Sequence, residues 1–188
     1  MGFRSSPFFR RVYRKSQNYR RSGFTLACSN IRFERSGTLS AAAADGIVPL
    51  AEVPFAQLAD YDRRFFPAQR DAFLRYWIAQ PGSTALAFAA GGRLQGYGVI
   101  RKCLAGCKIG PLFADGRQIA ERLYVALCRH AAEGEPVYLD VPEVNAEAVA
   151  LAGKFGMKKV FGTARMYTGE FPHVAMDGTF GVTTFELG

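Results

Sequence analysis

Along residues 47–187 the spacing of apolar residues switches repeatedly between a period of two and a period near 3.6. Glycine or proline stands at most of the switches. Such a chain must build a sheet and cover it with helices. Ile47–Val53 reads as a first strand, and Pro49 marks it as an edge, since proline cannot donate to a ladder. Leu58–Ile78 carries Leu58, Tyr61 and Phe65, then Phe73, Leu74, Trp77 and Ile78, at helical spacing in two pieces. Pro67 is placed in the first turn of the second piece, and Pro81-Gly82 ends it. Ser83–Ala90 and Leu94–Lys102 form a hairpin through Gly91-Gly92-Arg93, and Lys108–Phe113 is a further strand.

Asp115 is read as the cap of a strongly amphipathic helix whose apolar face is Ile119, Leu123, Ala126, Leu127 and Ala131, with Gln118 completing a capping box. Gly134 closes that helix. Val137–Val141 is a buried strand with Asp140 near its end. Asn145 caps a helix that runs to Phe155 and stops at Gly156, and Lys158–Tyr167 and Phe180–Leu187 are the last strands. The order predicts an α/β fold, a mixed sheet with helices on both faces.

The net charge of +8 is concentrated at one end. Residues 1–38 hold nine Lys or Arg against one acid, Glu34, while residues 39–188 are balanced. Residues 1–38 therefore read as a basic arm, 39–46 as a linker of small residues, and 47–188 as the folded domain. The arm interleaves arginines with Phe8, Phe9, Tyr13 and Tyr19, as nucleic-acid binders do, but a solvated arm is the stronger reading and a nucleic-acid partner is not expected. No run of about 18 apolar residues occurs, so no membrane span is expected. The N-terminus lacks the features of a secretory signal, and a transit peptide is a lesser alternative. Cys28, Cys103, Cys107 and Cys128 fit no zinc spacing and read as free thiols in a reducing cytoplasm.

One internal repeat stands out. Tyr19 to Phe24, followed by Asn30 to Glu34, matches Ala152 to Met157, followed by Thr163 to Tyr167, without gaps. Gly23 falls on Gly156, Phe24 on Met157, Arg21 on Lys154 and Arg32 on Arg165. Both segments read as a helix end, a glycine stop and a strand, so the arm looks like the tail of an earlier copy of the same unit.

The run Leu139 to Asn145, followed by Ala148, Leu151, Lys154 and Gly156-Met157, resembles the GNAT acyltransferase superfamily. The wider series Gly96-Tyr97-Gly98 with Arg101, Ile109 to Leu112, Asp140 to Glu143 and Arg165 to Tyr167 resembles the second domain of a tandem GNAT family. The resemblance implies a mostly antiparallel mixed sheet with one parallel pair that splays, here Lys108–Phe113 and Val137–Val141. It implies acetyl-CoA or another acyl-CoA in that gap, held by Ile109, Gly110, Pro111, Leu112 and Phe113. Gly116, Arg117 and Asn145 would lie toward the cofactor, with the helix N-terminus at the pyrophosphate. The implied reaction is N-acyl transfer to an unidentified amine. Asp140 and Glu143, at a strand end, are candidates for the base or for binding a cationic amine, with Asp140 as a backbone partner in the turn as the alternative.

Two departures qualify that reading. Residues 111–117 do not supply the superfamily's phosphate loop, and the tyrosine that commonly protonates the departing thiolate falls at Ala152. Its repeat equivalent is Tyr19, which carries the phenol. The first copy thus reads as the catalytic one. A non-catalytic module that binds a ligand or partner is the rival reading. The arm's strand is expected to dock on the sheet or to join two chains as a homodimer.

Overall fold

A computed structural model describes residues 18–36, 39 and 45–186. Its strands are β1 (Thr25–Arg35), β2 (Ile47–Pro49), β3 (Ser83–Ala90), β4 (Arg93–Lys102), β5 (Cys107–Ala114), β6 (Val137–Pro142), β7 (Lys158–Tyr167) and β8 (Thr179–Gly181). Its helices are α1 (Phe55–Asp62), α2 (Asp71–Ala79), α3 (Arg117–Cys128) and α4 (Ala146–Lys154). The sheet runs β2-β3-β4-β5-β6-β1-β7, with β8 against β5. Only β5 and β6 are parallel among the described strands.

Helices cover both faces, as the periodicity requires. Under α3 and α4 lie Ile31, Ile109, Leu123, Tyr124, Leu127, Leu139 and Leu151. Under α1 and α2 lie Leu58, Tyr61, Phe65, Leu74, Tyr97, Val99 and Phe113. Two glycines of β4 let α3 lie close: a Cβ on Gly96 would come within 2.9 Å of the Ile119 side chain, and one on Gly98 within 2.7 Å of Leu127.

Several boundaries differ from the periodicity. β2 stops at Pro49 and continues as a 3-10 turn, Leu50–Glu52, although it does form the sheet edge. The break between α1 and α2 spans residues 63–70, so Pro67 lies in the connection rather than in a first turn. The reason is Arg70, which sits at the N-cap of α2 and turns back to pair with Asp62 at the end of α1. Asp115 does not cap α3. Gly116 occupies the N-cap, and the Asp115 carboxylate accepts from the Tyr61 hydroxyl and Arg64 instead. The last strand shortens to Thr179–Gly181, its ladder with β5 ending at Leu112 opposite Gly181, after which Val182 N–H bonds Asp140 O of β6.

The strand of the arm docks on the sheet, the first of the two outcomes expected for it, and it does so in the interior rather than at an edge. β1 is an interior strand, antiparallel to β6 on one edge and to β7 on the other. Ile31 and Phe33 are buried in the main core. The boundary at Ile47 therefore divides one sheet, and with both edges used inside the chain β1 has none to offer a homodimer. Residues 1–17 and the residues 40–44 of the linker lie outside the described residues.

The repeat is visible as geometry. Phe24 N–H donates to Tyr19 O and Gly23 N–H to Arg20 O. Met157 N–H donates to Ala152 O and Gly156 N–H to Gly153 O, the same pair of bonds. Both glycines hold positive φ, 82° and 64°, which terminates each helical turn in one geometry and sends a strand off it.

If β1 is a structural strand, Phe33→Ala should cost about 3–5 kcal/mol of stability in urea unfolding. A loss below about 1 kcal/mol would mark β1 as a loosely attached arm.

Candidate functional site

β5 and β6 pair only from Cys107 opposite Val137 to Ile109 opposite Leu139, and then part. That is the splay the resemblance implies, but the chain itself fills it. Leu112 and Phe113 of β5 pair with Gly181 and Thr179 of β8. On the other side Val182 N–H donates to Asp140 O at 2.9 Å. A Cβ on Gly110 would come within 2.7 Å of the carbonyl oxygens of Val182 and Thr183, and one on Gly181 within 2.6 Å of Leu139. Residues 179–183 thus lie in the plane of the sheet at van der Waals distance from both walls.

Asn145 secures this segment. Its Oδ1 accepts from Ala148 N–H and caps α4, as the sequence indicates. Its amide also donates to the carbonyls of Met176, Asp177 and Thr179 at 3.1, 2.9 and 3.0 Å. Of the other residues assigned to a cofactor, Ile109, Leu112 and Phe113 are buried in the core. The Gly110 carbonyl accepts from the Trp77 indole at 3.0 Å. Pro111 has no N–H to give. Gly116 is extended, and a Cβ there would meet nothing within 4 Å. The Arg117 guanidinium is shared between Glu121 and Glu147. Asp115, held by Tyr61 and Arg64, adds a carboxylate at the end of α3 where a pyrophosphate would need donors.

Asp140, read as a base, is fully buried and clamped by two cations. Arg32 meets it in bidentate fashion, Nε to Oδ1 at 2.7 Å and Nη2 to Oδ2 at 2.8 Å, and the Lys108 ammonium holds Oδ2 as well. Burial pushes the Lys108 ammonium below its usual range, while hydrogen bonding to Asp140 raises that of Arg32. The Phe185 ring lies 4.8 Å from the Arg32 guanidinium carbon and 5.5 Å from the Lys108 nitrogen. A carboxylate so committed is an anchor rather than a proton acceptor. Lys108 escaped the sequence reading. Its signal was a lone cation in an apolar strand beside a strand with a lone acid.

A second buried ion pair was missed as well. Arg70 meets Asp62 in bidentate fashion at 2.7 Å, and the Tyr97 hydroxyl donates to the same carboxylate. Burial, with Asp62 beside it, pushes the Tyr97 phenol well above its ordinary range, so it stays protonated. The Thr183 hydroxyl lies 3.5 Å from both Arg70 Nη atoms.

Among the described residues, the side chains of Glu143 and Tyr19 make no hydrogen bond or ion pair with β5, β6 or β8. Glu143 is half-buried at the turn after β6, its backbone N–H donating to Ser29 O. Tyr19 stands on the helical turn ahead of β1, 55% exposed, with its ring edge-on to Phe24 at 5.6 Å.

Comparison with known proteins gives a consistent picture. Residues 58–181 match the family model described as an acetyltransferase (GNAT) domain. A curated relative, holothin acyltransferase of Pseudoalteromonas sp. (strain SANK 73390), is 22% identical over 174 residues. These cover 93% of this chain and 59% of the relative. A Pyrococcus horikoshii structure described as a candidate acetyltransferase superposes with a TM-score of 0.76 at 23% identity, covering 93% of this chain and 57% of that one. A GNAT-family acetyltransferase from Colwellia psychrerythraea gives a TM-score of 0.56 at 14% identity over 81% of this chain and 60% of that one. At such identities the structures speak for the fold. The chain spans less than two thirds of the length of each of these relatives.

Two substitutions test the arrangement. Asn145→Asp keeps the helix cap but turns a carboxylate toward three carbonyls. It should destabilise by about 2–3 kcal/mol, at least as much as Asn145→Ala; a neutral Asn145→Asp would reduce this residue to a cap. Asp140→Asn should cost about 3–5 kcal/mol, because it strands Lys108 and Arg32 without their counter-charge. Unfolding in urea at neutral pH measures both, and a loss under about 1 kcal/mol for Asp140→Asn would show that the cations are solvated elsewhere.

Proposed function

The chain belongs to the acetyltransferase (GNAT) family, and on that premise we propose that it is one GNAT unit of an acyl-CoA-dependent N-acyltransferase. The acyl group is read as acetyl and the acceptor as a primary amine. The observation that carries the reading is the parallel pair β5–β6, which parts after Ile109 and Leu139 inside the stretch that matches the family.

Acyl-CoA does not fit this unit as folded. The backbone edges that would face a pantetheine arm are taken by β8 and Val182, and a side chain at Gly110 would already strike their carbonyls. We therefore derive no step of acyl transfer here. The chemistry is assigned to a preceding copy in a longer protein, and Tyr19, at the repeat position of Ala152, is the candidate acid for its departing thiolate. This copy then serves as a scaffold beside the reacting one. The rival reading, a GNAT-like module in a protein without acyl transfer, is favoured by the same filled splay and differs in predicting no activity in the longer protein. Cys28, Cys103, Cys107 and Cys128 are free thiols, which suits a reducing compartment, and the cytoplasm is the proposed location.

Calorimetry with acetyl-CoA should give no heat and no thermal shift for the 188-residue chain at millimolar ligand. In a protein that includes the preceding copy, thiol release from acetyl-CoA with primary amines should appear and fall about 100-fold or more in kcat on Tyr19→Phe. Saturable binding to the 188-residue chain would overturn the closed-slot reading, and an inactive longer protein would favour the rival.

A further inference from the structure

β1 and β7 face each other with a symmetry that ordinary neighbouring strands lack. The repeat sets equivalent residues 133 positions apart, as Gly23 and Gly156 are. In the antiparallel ladder Asn30 lies opposite Thr163, and these two are themselves 133 positions apart. A residue that faces its own equivalent marks a local two-fold axis. The axis relates β1, with the helical turn before it, to β7, with α4 before it. The matching hydrogen bonds at Tyr19–Phe24 and Ala152–Met157 lie on the two sides of it.

A two-fold axis makes demands of both strands. β1 has β7 on one edge and β6 on the other. Its counterpart β7 has β1 on one edge and, among the described residues, nothing on the other. Burial differs between the two strands as well: Phe161, whose ring meets Phe185 at 5.9 Å, is 48% exposed, whereas its equivalent Cys28 is 8% exposed, and Val160 is 43% exposed. The ladder between β1 and β6 sets Arg32 opposite Asp140. The equivalent of Arg32 is Arg165. Its guanidinium donates to the Tyr167 hydroxyl and is paired with no carboxylate among the described residues.

We propose that the outer edge of β7 seats the β6-equivalent strand of a preceding copy of this fold. That strand carries a carboxylate, at the position of Asp140, which pairs with Arg165. The two copies then share one continuous sheet in which each has lent the other its last strand. The relatives are long enough for this, since 57–59% of their length is covered here. The inference rests on the reading that a preceding copy exists, and it adds where that copy sits and what it must offer.

The test is a doubled polypeptide in which residues 47–151 are joined directly to Tyr19 of this chain. The junction preserves the helix phase, because Tyr19 is the equivalent of Ala152. Hydrogen exchange is read over residues 158–167. In the doubled protein these amides should exchange at least 10-fold more slowly than in the 188-residue chain, the strand being held in place by its high effective concentration. Arg165→Glu should abolish the slowing, and Asp140→Arg in the added copy alone should restore it. Equal exchange in the two proteins, or slowing that ignores the charge reversal, overturns the proposal. Should the doubled protein not fold, a synthetic peptide of residues 136–145, added at millimolar concentration to the 188-residue chain, replaces the added copy. The same protection and the same charge reversal are then required, and their absence overturns the proposal. Acyl transfer is not among these readouts, so failure here leaves the assignment of chemistry to a preceding copy standing.

Discussion

Everything around the centre of this sheet follows from the need to pair backbone groups that are buried where β5 and β6 separate. A parallel pair that stops pairing after Ile109 and Leu139 leaves two rows of N–H and C=O groups pointing into a gap. In the interior such groups cannot stay unpaired without a cost of about 1–3 kcal/mol each. A ligand with an amide-bearing arm is one solution. This chain uses another, a strand of its own, and Thr179, Phe180, Gly181, Val182 and Thr183 are buried accordingly. The choice explains the glycines on either side of the contact, because Gly110 and Gly181 are positions where a side chain would collide with the filling strand or with its wall.

The fold was legible where apolar periodicity and glycine stops carried it. The hairpin at Gly91-Gly92 and the α4 cap at Asn145 stand where the spacing put them, and the parallel β5–β6 pair stands where the family resemblance put it. The failures share one cause, which is long-range polar pairing that no local pattern records. Asp115 looks like a cap, and only the fold brings Tyr61 and Arg64 to it. Asp140 looks like a base at a strand end until Arg32 arrives from 108 residues away. The weakly patterned residues 36–46 set the arm apart from the domain, yet Ile31 and Phe33 alternate with polar neighbours as a core strand should. The repeat carried the missing information: a segment equivalent to β7 must itself be a strand.

The filled splay also bears on the charges. The segment that closes it contacts both buried ion pairs, which lie on the same face of the sheet, opposite the core under α3 and α4. Thr183 reaches Arg70 of the Asp62 pair, and two residues later Phe185 lies against Arg32 and Lys108 of the Asp140 group. Withdrawing residues 179–186 would uncover unpaired backbone along β5 and β6 and, in the same motion, remove the cover from these partly or fully desolvated cations. Each loss is unfavourable alone, and they are mechanically linked because one strand makes all the contacts. The segment therefore behaves as a keystone rather than a lid. A lid rests on a surface that is complete without it, whereas here the Asn145 side-chain NH2 is given over to the carbonyls of Met176, Asp177 and Thr179 that lead in the strand. A unit built in this way keeps the outline of the GNAT fold while committing the splay to its own stability, and that is the physical reason for proposing that the chemistry belongs to a preceding copy.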